Sequence, residues 1–516
     1  MSLDNSHPSK ENVADTKPSA SVDREQTIMA FLKKVKESLP IHYVASRDGI
    51  FVAAPRTREP LGSRICSLFR VVAMARTSES KDWTWLIEIL TPDVTVSELL
   101  IPKDSLIAKR KDTLGKLQSY GMDFGVFQEL EVLELFKAWQ PSARVFTVNT
   151  PGWDSEMQTF VMPDGSVETS NETKDHYIFA DAKQSCRVGT FEGWQSEVAH
   201  MCIGNPHLIF GVSLALAGPL LEPMGLDSGL FHLHGDTSIG KSASLRVANS
   251  VWRSEQLQTW KTTSNGLEGR LATANSTFFA IDELPKVPHH EFENDIYMIG
   301  NGFGKQRSDT AGKALTPAAW KMYCLSTGEN DLATVLKSMK KDRHGGQTVR
   351  FIDVVVKHGE EGSFEDIHDL KDGKAFVSHL RQAALAHAGH AGPKFVREFL
   401  QRGCDGVTLL TDLKWKSEHL EKQICNKFDL EKLEPEVTRV IERFAVIALA
   451  GEMASEYGVT EWPMGTADHA VSLLIDQWFH GRGGNSAVDR ADAIERTREY
   501  LEACGNRDFI DIEGFD

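Results

Sequence analysis

Residues Gly235-Asp236-Thr237-Ser238-Ile239-Gly240-Lys241-Ser242 fit the spacing G-x-x-x-x-G-K-[ST] at every fixed position. No other string in the chain restricts the fold so tightly. An apolar run, Leu230-Phe231-His232-Leu233, leads into it, and a helix-compatible run, Ala243 to Val251, leads out. Glycines let successive backbone N–H groups turn inward as an anion nest, and the N-terminus of the following helix adds partial positive charge. The pattern predicts a strand, a phosphate-cradling loop over Gly235–Ala243 and a helix. ATP is the expected ligand, with Lys241 reaching its β- and γ-phosphates and the Ser242 hydroxyl on Mg2+.

About forty residues on, Thr277-Phe-Phe-Ala-Ile-Asp282-Glu283 reads as a buried strand ending in two carboxylates. Placed at the C-terminal edge of the same sheet, Asp282 is expected to hold the hydrated metal and Glu283 to act as general base toward water. Met322-Tyr-Cys-Leu-Ser326-Thr327-Gly328-Glu329-Asn330 is a further strand with a polar end. Thr327 or Ser326 could there touch a γ-phosphate or the attacking water. Arg350 opens Arg-Phe-Ile-Asp in the next strand-like run, and an arginine there can project into a neighbouring subunit's site. Arg343 competes for that role. Arg439 and Arg443 stand one turn apart on a helical segment.

Strands and helices alternate around these motifs, with strands at Gly229–His234, Leu257–Trp260, Thr277–Ile281, Lys321–Ser326 and Thr348–Val354. The alternation predicts an α/β core with a parallel sheet. The expected organisation is a disordered polar tail over 1–24, a mixed α+β domain over 25–190, the phosphate-loop core over 191–365 and a helical subdomain over 366–516. The polar N-terminus shows no apolar signal core. Ile203 to Leu221 is the most apolar stretch, but Asn205, Pro206, His207 and Pro219 interrupt it, so it reads as a buried helix. The seven cysteines, Cys66, Cys186, Cys202, Cys324, Cys404, Cys425 and Cys504, include no Cys-x-x-Cys pair. Buried thiols in a reducing cytoplasm are expected. A net charge of −16 means that any nucleic-acid contact must use a local basic surface.

Residues from about 60 to 480 resemble the family called domain of unknown function 927, found in proteins of mobile genetic elements. The strings are Gly152-Trp153 with Val161-Met-Pro-Asp, Phe231 through Ser242, and Trp260-Lys-Thr-Thr-Ser-Asn-Gly-Leu-Glu. Ile281-Asp-Glu-Leu, Leu325-Ser-Thr-Gly-Glu and Gly346-Gln-Thr-Val-Arg350 complete the set. Family members resemble AAA+ ATPases, some of them replicative helicases of the minichromosome maintenance type. That resemblance implies a hexameric ring with ATP at subunit interfaces. It makes Lys241 and Ser242 the Walker A pair and Asp282 and Glu283 the Walker B pair, and gives Ser326-Thr327 the place of sensor 1. Arg350-Phe-Ile-Asp is similar to the arginine-finger string, and Thr438-Arg439-Val-Ile-Glu442 to sensor 2, which favours Arg439 over Arg443. The short stretch between the Walker motifs leaves little room for the extra hairpin such helicases insert there.

Gly300-Asn-Gly-Phe-Gly-Lys305-Gln-Arg307, followed by Gly312-Lys313, lies between the acid pair and the next strand. In the resembling helicases this region is a hairpin in the central channel, which implies DNA phosphate contacts for Lys305, Arg307 and Lys313. Lys103, Lys109, Arg110, Lys111 and Lys116 form a second basic patch. The resulting expectation is an ATP-dependent DNA helicase or translocase of a mobile element or prophage. Single-stranded or forked DNA is its expected substrate, with a separately encoded primase or single-strand-binding protein as partner and no membrane involved. The alternative is a non-unwinding AAA+ ATPase, a nucleotide-gated loader or defence-system scaffold.

Overall fold

A computed structural model describes residues 20–486 apart from 54–60, 171–176, 180–186, 255, 287, 289, 309–311, 313, 342–344 and 404, together with 497, 498 and 500–502. The described residues divide into two compact units. One is drawn from Met1–Val148 and Lys174–Ala180, the other from Asn149–Thr173 and Asp181–Asp516.

The first unit opens with a helix at Ala20–Ser38. Its first five residues lie in the stretch expected to be disordered. Phe31, Leu32 and Val35 bury one face of the helix. The remaining tail lies outside the described residues. A mixed five-stranded sheet runs in the order Tyr177–Phe179, Arg144–Val148, Phe69–Arg76, Thr84–Leu90, Val96–Pro102. Phe69, Trp85, Phe136 and Trp139 pack ring against ring under it, with centroids 5.1 to 5.7 Å apart.

The second unit is built on five parallel strands: β1 (Gly229–His234), β2 (Gln258–Thr259), β3 (Phe278–Leu284), β4 (Tyr323–Gly328) and β5 (Phe351–Val355). They lie in the order β2-β3-β4-β1-β5. The stretch expected as one strand from Thr348 begins instead with a helical turn, Gly345–Thr348, and β5 starts at Phe351.

Alternation along β1, β3, β4 and β5 makes two cores. Phe231 and Leu233, Phe278 and Ala280, Tyr323 and Leu325, and Ile352 and Val354 face one side. Leu230, Phe279, Ile281, Cys324 and Phe351 face the other. The first face is covered by the helix Pro206–Leu221, buried at all 16 residues, and by the helices Pro435–Glu456 and Thr466–Gly481. The helical C-terminal region thus shares a core with the sheet. Trp153 donates its indole N–H to the Pro219 carbonyl (2.8 Å), so the Gly152-Trp153 string serves this unit although it reads from sequence as part of the N-terminal domain. Among the described residues, no helix is long and apolar enough to cross a membrane.

Candidate functional site

At the C-terminal end of β1 the chain turns through Gly235 (φ +152°), Ser238 (φ +63°) and Gly240 (φ +108°) into the helix Lys241–Ser250. These left-handed angles aim backbone amides into the loop's concavity. Neither glycine tolerates a side chain. A Cβ on Gly235 would strike the Val356 carbonyl, and one on Gly240 would strike the Phe364 ring. The segment after β5 therefore folds back over the loop, and the Ser363 N–H donates to the Ile239 carbonyl (2.8 Å). No motif in the sequence announces this second wall.

The Lys241 amine is largely buried and donates to the carbonyls of Gly235 and Asp236. Burial pushes its ammonium below the usual lysine range, while the carboxylates of Glu329, Asp236 and Asp282 pull the other way. The exposed Ser242 hydroxyl lies 3.2 Å from Asp282 Oδ1. A hydroxyl and a carboxylate oxygen from separate elements converge there, a hard-oxygen donor set suited to a small divalent cation. The arrangement fits the expected metal.

Glu283 follows Asp282 at an irregularity in the β3–β4 register and holds φ +59°. A non-glycine residue in that region costs about 1–3 kcal/mol and persists only when its surroundings fix it. Its N–H donates to Asp282 Oδ1 (3.0 Å) and to Thr327 Oγ1 (3.4 Å). The bulge exposes the Glu283 side chain while Asp282 stays half-buried.

Thr327 donates its hydroxyl to Asp282 Oδ1. Ser326 does not meet the acid pair. It points to the opposite face of β4 and bonds His232 and Trp260. Of the two residues expected at this place, alternation brings only Thr327 to the carboxylates. The sequence contains the signal: Thr327 has the parity of Tyr323 and Leu325, and Asp282 that of Phe278 and Ala280, all on one face.

Arg350 and Arg443 lie at the other end of the sheet. Arg350 precedes β5, whose start pairs with the start of β1, a strand's length from the glycine loop. Its guanidinium bonds Asn301 Oδ1 (2.8 Å) and the Gly346 carbonyl (2.9 Å) and covers the Tyr297 ring. Arg443 donates to the Ser228 carbonyl at the foot of β1 and lies over Tyr323. Arg439, one turn earlier, is exposed and, among the described residues, donates to the Pro435 carbonyl of its own helix (3.3 Å). Neither Arg350 nor Arg443 approaches the chain's own glycine loop. Arg343 lies outside the described residues.

The segment after the helix Phe292–Asn301 is a hairpin. Bridges pair Phe303 with Ala319 and Ser308 with Ala314. Glycines here serve close packing: a Cβ on Gly300, in the last turn of that helix, would meet Arg350, and one on Gly304 of the hairpin would meet Glu268. Lys305 is exposed, 3.5 Å from Glu291. Arg307 makes a bidentate pair with the buried Glu268 (2.7 and 2.8 Å), on the helix Ser264–Ala272. The structure therefore gives Arg307 an anchoring place in the hairpin, beside the Ser308–Ala314 bridge, because a buried carboxylate requires a partner. Lys313 lies outside the described residues. Of the second basic patch, Arg110, Lys111 and Lys116 lie on the helix Arg110–Ser119, with Lys109 at its N-cap, and Lys103 covers the Trp85 ring.

A family profile described as "Domain of unknown function (DUF927)" matches residues 43–319, more than half of the chain. No curated protein matches the sequence. Among solved structures, "SCCmec type IV Cch - active helicase" is similar with a TM-score of 0.66 and 17% identity, over 90% of this chain and 82% of that one. That likeness shows a shared fold. "The A form apo structure of NrS-1 C terminal region-CTR" is matched over 70% of this chain and 77% of that one at 9% identity, with a TM-score of only 0.27.

Proposed function

Since the chain belongs to the family described as DUF927, a domain of unknown function, we propose from its site that it is an ATP-hydrolysing AAA+ motor acting on DNA. The observation that carries this reading is the convergence of the glycine loop and the acid pair, with Ser242 Oγ 3.2 Å from Asp282 Oδ1. A nest of amides ahead of a helix, a lysine beneath it and two acids on the neighbouring strand are the parts phosphoryl transfer to water requires. The strand order β2-β3-β4-β1-β5, with β4 between the acid-bearing strand and the loop-bearing strand, suits the AAA+ class.

In this reading the amides of Asp236–Ala243 and the Lys241 ammonium bind and orient the phosphates. Ser242 and Asp282 would hold Mg2+, which when bound neutralises charge on the phosphate oxygens. Thr327 fixes the rotamer of Asp282 through its hydroxyl. Glu283, set apart from Asp282 by the bulge, takes a proton from the attacking water. Arg350, at the far end of the sheet, and the exposed Arg439 complete the site of an adjacent copy in a ring, a hexamer on the family resemblance.

The hairpin Gly302–Trp320 is the DNA-facing element, with Lys305 its exposed cation, and ATP turnover moves it along single-stranded or forked DNA. A helicase among proteins of shared fold supports this choice over a non-unwinding loader. Replication of a mobile element or prophage is the process such a motor would serve. Lys241→Ala should abolish ATP turnover, and strand displacement on forked DNA should require ATP in the unaltered protein. ATPase without strand displacement or DNA stimulation would favour the loader, and a Lys241→Ala variant that still hydrolyses ATP would sink both readings.

A further inference from the structure

Three strands and a loop meet at His232, which is wholly buried on the face of β1 opposite the acid pair. Its Nε2 lies 3.1 Å from the Asn330 carbonyl oxygen, which can only accept, so Nε2 carries the proton. Its Nδ1 then accepts, and Ser326 Oγ stands 3.0 Å away to donate. Ser326 in turn accepts from the Trp260 indole N–H at 2.8 Å, a group that can only donate. Every polar atom finds its partner, and the donors run one way: Trp260 to Ser326 to His232 to Asn330. The direction requires a neutral imidazole. Burial and the adjacent His234 supply this, holding the His232 pKa at about 3. Gly328 sits against the imidazole with no room for a Cβ.

The relay grips the turn Ser326–Asn330 at both ends. Between those ends Thr327 projects to the other face and donates to Asp282. At the far end Trp260 leads into the helix Ser264–Ala272, capped by Thr263, whose Glu268 anchors Arg307 of the hairpin. We propose that Trp260, Ser326 and His232 are positioning residues that hold the Ser326–Asn330 turn, and through Thr327 the Asp282 carboxylate, in the geometry that turnover needs. The proposal rests on reading Asp282 and Glu283 as the hydrolytic acids.

Trp260→Phe keeps the ring and deletes the first donor, and Ser326→Ala removes the link. Without nucleotide, the amides of Thr327–Asn330 should exchange with deuterium about tenfold faster in either variant, because the turn opens locally once a grip is lost. With ATP, kcat should fall about tenfold while nucleotide affinity stays within about threefold, as expected when geometry and not binding is disturbed. The double variant should turn over no more slowly than the slower single one, since both changes break one chain. His232→Gln, which keeps a donor for the Asn330 carbonyl, should retain more turnover than His232→Leu.

Wild-type exchange and turnover in Trp260→Phe and Ser326→Ala would overturn the proposal. So would losses that multiply in the double variant, or an affinity loss that accounts for the whole effect. Should Ser326→Ala fail to fold, Trp260→Phe and the His232 pair still decide the matter. Failure of the underlying reading looks different: the unaltered protein would not bind ATP, or Lys241→Ala would keep its turnover.

Discussion

At the scale of single residues, the site depends on side chains whose environment sets their chemistry. His232 is the sharpest case. An ordinary imidazole has a pKa of 6.5, and here it is pushed down to about 3. The unfolded chain therefore takes up a proton near pH 6.5, while the folded chain resists. The contribution is complete above that pH and is lost as pH falls through the window, by about 2 kcal/mol at pH 5. Buried His207 is shifted in the same direction. Urea midpoints at pH 7.5 and pH 5 should show this loss, and His232→Gln should flatten part of it. Glu283→Gln tests the adjacent acid. It should keep ATP affinity and lower kcat by about 10²–10⁴-fold, the usual worth of a general base. Single-turnover hydrolysis measures it, and a wild-type rate would remove Glu283 from the mechanism. The left-handed turn of the glycine loop and the two acids at the end of β3 were legible as letters because backbone freedom and charge belong to the residue types themselves. The choice of Thr327 over Ser326 was legible only as parity, and the His232 relay was not legible at all, since its bonded partners are 66 to 98 residues apart.

At the scale of elements, the hairpin bridged at Phe303–Ala319 and Ser308–Ala314 carries a braced arginine and an exposed lysine. Arg307→Ala leaves the Glu268 carboxylate buried without its partner, so a lower melting temperature is expected alongside any change in DNA binding. Lys305→Ala removes an exposed cation. It should leave melting unchanged and reduce the slope of log affinity against log salt by about one. Thermal melts and salt titrations on both variants check the distinction, and equal melting temperatures would show that the Arg307–Glu268 pair does not brace the hairpin. Basic residues look alike in a sequence. Only the carboxylate waiting at Glu268 distinguishes a brace from a phosphate contact. Helix and strand cores were better predicted, because Pro206–Leu221 and the strands β1, β3, β4 and β5 are largely apolar runs whose burial leaves one reading. Their ends were less so: the first helix extends back to Ala20, and β5 waits until Phe351.

At the scale of the whole molecule, the loop and acids occupy one end of the parallel sheet and Arg350 the other. A ring of copies would bring one end against the next copy's other end. Glu283→Gln and Arg350→Ala proteins should each be inactive alone, and mixing them should restore turnover at interfaces that join an intact acid to an intact arginine. ATPase assays on mixed subunits measure this, and a fully active Arg350→Ala protein would end the role of that arginine. The sequence by itself determined the glycine-rich strand–loop–helix unit, the place of the two acids at a strand end and the alternation of a parallel sheet. Each follows from local backbone chemistry or from the two-residue period of a strand. Tertiary structure alone decided which hydroxyl meets Asp282, which arginine is spent on bracing, that residues 149–170 pack with the second unit, and that His232 ties three strands together. Those outcomes depend on which side chains distant segments bring within hydrogen-bonding reach, and no local pattern encodes that.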